Sequence, residues 1–164
     1  MTKHVASGSS ARRSALVAIG VGGTSAGALD LIQASVLFGW KIPLSIAGGL
    51  IGPNARNGGP GTYLLGVFLH FFIALSAATI YYLASKRLVF LKEYPFVWGL
   101  FFGAAVDEVM NLIVLPLSAL HIRGPYQLHD LIQGLLVHMV VVGLPISYSI
   151  RYATFAPRRN ADAE

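Results

Sequence analysis

Two adjacent carboxylic acids, Asp107 and Glu108, lie in the middle of the apolar stretch FFGAAVDEVMNLIVLP, residues 101–116. That stretch contains no Lys or Arg to neutralise them. A charged acid at the centre of a membrane costs about 2.5 to 3.5 kcal/mol on the insertion scale, whereas a Leu or Ile returns only about 0.3 to 0.6 kcal/mol. The two acids therefore indicate a buried polar site, in which protons, protonated histidines, a metal ion or a cationic solute supplies the missing charge.

Polar side chains also occur in the other long apolar stretches of the chain. Four of the seven acidic residues lie in such stretches, and on a helical wheel they share faces with glycine, alanine, histidine or amide residues. We therefore predict that the stretches turn these groups toward one pocket. The predicted proton- or cation-binding residues are Asp30, His70, Asp107, Glu108, Asn111, Asp130, Gln133 and His138.

The elements that position these residues are predicted to be transmembrane helices. With 55% hydrophobic and 12% charged residues, and a mean hydropathy of +0.65, the chain has too little polar surface for a water-soluble globule of 164 residues. Four apolar stretches reach the length of about 20 residues that a spanning helix needs. They cover residues 15–38, 62–84, 96–119 and 127–149. The fold class is therefore an all-α, polytopic four-helix bundle, because a membrane β-barrel would require alternating apolar and polar residues.

The basic residues predict the orientation of the bundle. Nine of the twelve Lys and Arg residues lie before the first span, between the second and third, or after the fourth. By the positive-inside rule, both termini and the loop at 85–95 are cytoplasmic, in a bacterial inner membrane. The net charge of +5 thus reports topology and attraction to lipid headgroups, and it requires no nucleic-acid partner.

The spans predict a single domain, residues 14–152, between cytoplasmic tails at 1–13 and 153–164. No internal repeat is evident. The connection KIPLSIAGGLIGPNARNGGPG, residues 41–61, either dips into the membrane interface with its apolar first half or forms a surface loop. An alternative for the N-terminus is a signal peptide cleaved near residue 28, which would leave three helices.

Small residues predict where the helices approach each other closely. The segment GTSAG, residues 23–27, has the small-xxx-small spacing that lets a second helix pack near its backbone. We expect the helix contacts to involve glycines in all four spans. These glycines are Gly23, Gly27, Gly66, Gly103 and Gly134.

Our first functional hypothesis is a small transport or proton-handling protein, which could be a homo-oligomer because four helices enclose little space. The adjacent acids Asp107 and Glu108 would bind a proton, a cation or a small cationic solute, while His70 and His138 would relay protons or coordinate the ion. The two other acids would form the outer approach to the site, and the amides would orient the ligand. Those residues are Asp30, Asp130, Asn111 and Gln133.

The second hypothesis is a membrane metalloprotein or haem-binding subunit. His70, His138, Asp107 and Glu108 are the candidate metal ligands, although the Glu-x-x-His spacing of di-iron bundles is absent and haem prefers a more apolar pocket. A third hypothesis is a structural assembly subunit, in which neutral acids and amides hold helices together. No sequence feature requires a cofactor. No catalytic nucleophile has a recognisable context, so the sequence favours a protein that is not an enzyme.

Several segments of residues 16–150 resemble the YagU-like family of bacterial inner-membrane proteins. They are GTSAG at 23–27, WKIPL at 40–44, WGLFFGA at 98–104, and LPL at 115–117. His70, eleven residues before Tyr81, and Gly134 match as well, whereas Asp107 and Asn111 stand where the family pattern has Gln and His. The resemblance implies a membrane bundle linked to acid tolerance, and the two departures keep a polar face at these positions but with different side chains.

Overall fold

A computed structural model describes residues 3–124 and 127–155 of the chain, with side chains from residue 12 onward and up to residue 153. Four of its helices are long and apolar enough to cross a membrane, and no strand occurs in these described ranges. The predicted all-α fold with four transmembrane helices is therefore confirmed. The protein is a helical membrane protein.

The first two spans form a hairpin, which we call the first hairpin. Helix α1 is Lys3–Phe38, so it extends through residues that the sequence assigned to a tail. Helix α2, Ile42–Ile51, follows it, and α3, Pro60–Ser85, returns across the membrane. Pro60 suits the first turn of α3, because that turn does not need the missing N–H group.

The last two spans form the second hairpin. A short helix α4, Phe90–Glu93, precedes α5, which covers Pro95–Leu117. The fourth span α6 covers Leu128–Ala153, and its helical conformation continues to Phe155. The observed boundaries lie within about three residues of the predicted ones, apart from the extended start of the first span and the later end of the fourth.

Helices α5 and α6 each contain a π-helical segment, at Met110–Val114 and at His138–Gly143. A π segment inserts one extra residue per turn, so it rotates the side chains on either side of it relative to each other. Such segments are frequent at functional sites. One of them begins at His138, and the other begins three residues after Asp107.

The helices pack in the order α3, α1, α6, α5, since α1 contacts α3 and α6, and α6 contacts α5. The ring of Tyr81 on α3 closes the bundle against the ring of Phe102 on α5, with centroids 4.9 Å apart. This closed half lies toward the two termini, and its core includes Ile146 and Ile150, both 0% exposed. We call this half the terminal half and the other the far half.

Most large apolar side chains point outward, as lipid contact requires. Leu64, Phe68 and Phe72 on α3 are 59 to 66% exposed, and Phe101 and Leu112 on α5 are 62 and 66% exposed. In a soluble protein, contiguous apolar surface of this extent would drive aggregation. The exposed side chains therefore identify a lipid bilayer as the surroundings of the bundle.

The connection between α1 and α3 folds back onto the far half of the bundle. Gly39 and Gly52, both with φ +88°, provide left-handed turns at the two ends of α2. The backbone of α2 packs against α3, where the Pro43 carbonyl group occupies the space beside Gly66. The amide of Ala119 donates a hydrogen bond of 2.8 Å to the Gly49 carbonyl oxygen, so α2 bridges the two hairpins.

Candidate functional site

The most buried acid of the four spans is paired with a histidine in the second hairpin. Asp107 on α5 is 3% exposed, and its Oδ1 atom lies 3.0 Å from Nδ1 of His138 on α6. The Asn111 amide donates a hydrogen bond of 3.2 Å to the other carboxylate oxygen, Oδ2. Both oxygens of this carboxylate therefore have polar partners within the bundle.

The same histidine nitrogen also contacts the backbone. Nδ1 of His138 lies 2.9 Å from the carbonyl oxygen of Gly134, one turn earlier on α6. A carbonyl oxygen can only accept, so Nδ1 carries a hydrogen and donates. With that tautomer, Nε2 of His138 carries the lone pair, and no hydrogen bond to it is formed within the described ranges.

A second acid–histidine pair occurs in the first hairpin. His70 on α3 uses Nε2 to donate a hydrogen bond of 2.8 Å to the Gly27 carbonyl oxygen on α1. The same nitrogen lies 3.9 Å from Oδ2 of Asp30, which is too long for a hydrogen bond but close enough for an ionic interaction. The side chains of His70 and Asp30 are 13 and 17% exposed.

The two pairs lie at nearly the same depth. His70 and His138 each lie ten residues after the start of their spans, Asp107 lies ten residues before the end of its span, and Asp30 lies eight residues before the end of α1. At 1.5 Å per residue, these positions are about 12 to 15 Å from the far ends of the helices, near the middle of a bilayer core of about 30 Å. We call these four residues the central polar layer.

The two halves of the central polar layer are connected. Helix α1, which carries Asp30, packs against the π segment that begins at His138. The two pairs therefore lie on helices that contact each other, although each histidine contacts only the acid of its own hairpin.

The structure reveals a sequence repeat between the hairpins. The first helix of each carries Gly-x-x-x-Gly-Ala followed by Asp, as GTSAGALD at 23–30 and GLFFGAAVD at 99–107. The second helix carries Gly-x-x-x-His, as GVFLH at 66–70 and GLLVH at 134–138. The pattern is hard to recognise in the sequence because Asp107 lies one residue further from its glycines than Asp30 does, and the intervening apolar residues differ.

The glycines of this repeat bring the helices together around the layer. A Cβ atom at Gly103 would collide with the backbone of His138 and Met139, and one at Gly134 would lie 3.1 Å from the Asp107 carboxylate. In the first hairpin, Gly27 packs against Phe71 and Ala74 of α3, and Gly23 packs against Leu75. A further close contact, not predicted from the sequence, is that of Gly143 on α6 with the Gly99 carbonyl oxygen.

Three predicted site residues are not brought into direct contact with the layer. Glu108 is exposed on the lipid-facing side of α5, on the same face as Phe101 and Leu112. Asp130 is exposed near the start of α6, where its carboxylate lies 3.3 Å from Nδ1 of His129. Gln133 is partly buried and makes no side-chain hydrogen bond within the described ranges. The adjacent acids therefore do not form one binding core, since only Asp107 points inward.

The candidate metal ligands are also separated. Among the described residues, no three His, Asp or Glu side chains lie close enough together to hold a metal ion. His70 and His138 each contact one acid and one backbone carbonyl, and Glu108 faces away from both. The four candidate ligands are therefore not brought together at one point.

Comparison with known proteins gives no assignment: no family model, curated protein or solved structure matches the chain. The resemblance to YagU-like proteins stays a prediction.

Proposed function

We propose that the protein binds and releases protons, or a small cation in their place, at the central polar layer within the membrane. The observation that carries this proposal is the pair of His–Asp contacts at one depth, in predicted spans that contain no Lys or Arg. Buried acids in a membrane are costly unless neutralised, and they commonly mark ion or proton pathways.

The hydrogen bonds define how a proton would be held. Because Nδ1 of His138 donates to the Gly134 carbonyl oxygen, an incoming proton would bind at Nε2 and create an imidazolium 3.0 Å from the Asp107 carboxylate. At His70 the roles of the nitrogens are reversed: Nε2 donates to Gly27, and Nδ1 accepts the proton. Each pair then changes from net −1 to neutral, and the neutral state costs less in a membrane.

We further propose a bacterial inner membrane as the location, with both termini cytoplasmic, as the distribution of basic residues favours. The far half would then face the periplasm. A role in acid tolerance, as the YagU-like resemblance implies, is consistent with a site that titrates. A homo-oligomer would shield the exposed Glu108 from lipid.

Proteoliposomes that contain a pH-sensitive dye test this proposal. We expect an imposed proton or cation gradient to collapse faster with wild-type protein than in empty liposomes. The substitution Asp107→Asn retains a side chain of similar shape that hydrogen-bonds, but it removes the charge that pairs with His138. Proton flux should fall about tenfold or more, because a neutral amide does not stabilise the imidazolium.

Asp130→Asn is the matched control, because it is the same substitution at an exposed acid that contacts only His129 among the described residues. It should leave the flux unchanged. If wild type and Asp107→Asn give equal proton and cation flux while both fold normally, the layer is structural, and the third hypothesis from the sequence is correct.

A further inference from the structure

A cavity lies at the far end of the bundle, outside the central polar layer. Its volume is about 510 Å³, within the range of about 300 to 1,000 Å³ that is usual for small-molecule sites. It is enclosed by the end of α1, the first turn of α2, the turn at Pro53–Asn57, and the segment that follows α5. The lining residues are Phe38, Lys41, Ile42, Leu44, Ser45, Pro53, Arg56, Leu120 and Ile122.

The charges of this cavity are all of one sign. Lys41 and Arg56 line it, and no acidic residue does. Neither cation forms an ion pair with an acid within the described ranges of the chain. Helix α2 separates Lys41 from the turn that contains Arg56, so it is the fold that brings both cations to one cavity.

The remaining walls are mostly apolar. Phe38, Leu120 and Ile122 contribute large hydrophobic side chains, and Ser45 contributes a hydroxyl group. The wall is held in place, because Gly48 of α2 packs against Leu120, and the Ala119 amide bonds to the Gly49 carbonyl oxygen. The cavity thus combines a cationic end with an apolar lining supported by the fold.

We infer that this cavity binds an amphiphilic anion, with a phosphate or carboxylate head between Lys41 and Arg56 and an apolar tail along the wall. Arg and Lys donate charge-assisted hydrogen bonds to such heads, and these are stronger than neutral hydrogen bonds. The apolar walls exclude a fully hydrated inorganic anion as the preferred ligand, because its head alone would leave them in contact with water. The ligand is either a free amphiphile or an anionic phospholipid of the surrounding leaflet.

The fluorescence of Trp40 can be used to measure binding in the cavity. This residue is adjacent to Lys41, is 72% exposed, and is one of only two tryptophans in the chain. In a Trp98→Phe variant, Trp40 is the only tryptophan, so the fluorescence comes only from the far end of the bundle. The probe is 12-bromododecyl phosphate, whose bromine quenches tryptophan at short range, and 12-bromododecanol is the uncharged counterpart with the same tail.

We expect saturable quenching by the bromododecyl phosphate and at least tenfold weaker quenching by the alcohol. The double substitution Lys41→Gln with Arg56→Gln should reduce affinity for the phosphate about tenfold or more, because it removes both charged donors. Arg123→Gln is the matched control, since Arg123 is an exposed cation beside Ile122 that does not line the cavity. Circular dichroism verifies that every variant remains helical.

Nanodiscs with brominated lipids distinguish the two sources of the anion. Stronger quenching by brominated phosphatidylglycerol than by brominated phosphatidylcholine, lost in the double variant, identifies a lipid ligand. Equal quenching by the two lipids, together with saturable binding of the bromododecyl phosphate, identifies a free amphiphile. Equal affinity for the phosphate and the alcohol, or an unchanged phosphate affinity in the double variant, would overturn the inference.

Discussion

Replacing Gly103 by alanine tests whether close packing of α5 on α6 holds the second His–Asp pair. The added Cβ would collide with the His138 carbonyl oxygen and the Met139 Cα, which are backbone atoms. Neither can move aside by rotating a side chain, so the two helices must separate. Overpacking of this kind typically costs about 1 to 3 kcal/mol.

Alanine substitutions at two other glycines provide a comparison for this stability cost. A Cβ at Gly134 meets a side-chain atom, the Asp107 Oδ1, at 3.1 Å, so Gly134→Ala should cost less than Gly103→Ala. A Cβ at Gly20 would meet no atom within 4 Å, and there alanine should stabilise α1 by about 0.5 to 1 kcal/mol through its higher helix propensity. From the most to the least stable protein, the expected order is Gly20→Ala, wild type, Gly134→Ala, Gly103→Ala.

The free energy of unfolding can be measured for all four proteins in mixed micelles with increasing fractions of denaturing detergent. A Gly103→Ala protein within about 0.5 kcal/mol of wild type would refute the packing argument, because a backbone collision cannot be that mild. Gly134→Ala should also displace the Asp107 carboxylate from His138, so its proton flux should fall even though its stability changes little.

Three further outcomes are expected. Nitrogen-15 NMR of labelled histidines should find His138 as the Nδ1–H tautomer and His70 as the Nε2–H tautomer at high pH. The variants His138→Gln and His70→Gln assign the signals, and the same tautomer for both histidines would contradict the hydrogen bonds described above. Tyr81→Phe should lower the free energy of unfolding by about 1 to 3 kcal/mol, because it leaves the Leu91 carbonyl oxygen without its buried 2.8 Å hydrogen bond. A change below about 0.5 kcal/mol would argue against that hydrogen bond. Reporter fusions in the connection at 58 and in the loop at 92 should lie on opposite sides of the membrane, and a shared side would refute the four-span topology.

Sequence alone determined the architecture of the membrane domain. Length and apolarity are properties of each segment by itself, so four spans could be placed without knowing how they pack. The cost of a buried acid is likewise independent of its neighbours, and for this reason Asp107 and the histidines could be recognised as candidates. The five predicted packing glycines could be named on the same basis, because small residues let helices approach closely wherever they occur in a span.

Tertiary structure decided which of these groups meet. Asp107 and Glu108 differ by about 100° around one helix, and only the position of α6 determines that the first faces His138 and the second faces lipid. The π segments, the tautomers of the histidines and the cavity between Lys41 and Arg56 also depend on contacts between distant segments. A sequence specifies the cost of burying each polar group, whereas the partner that offsets that cost is chosen by the packing of the helices.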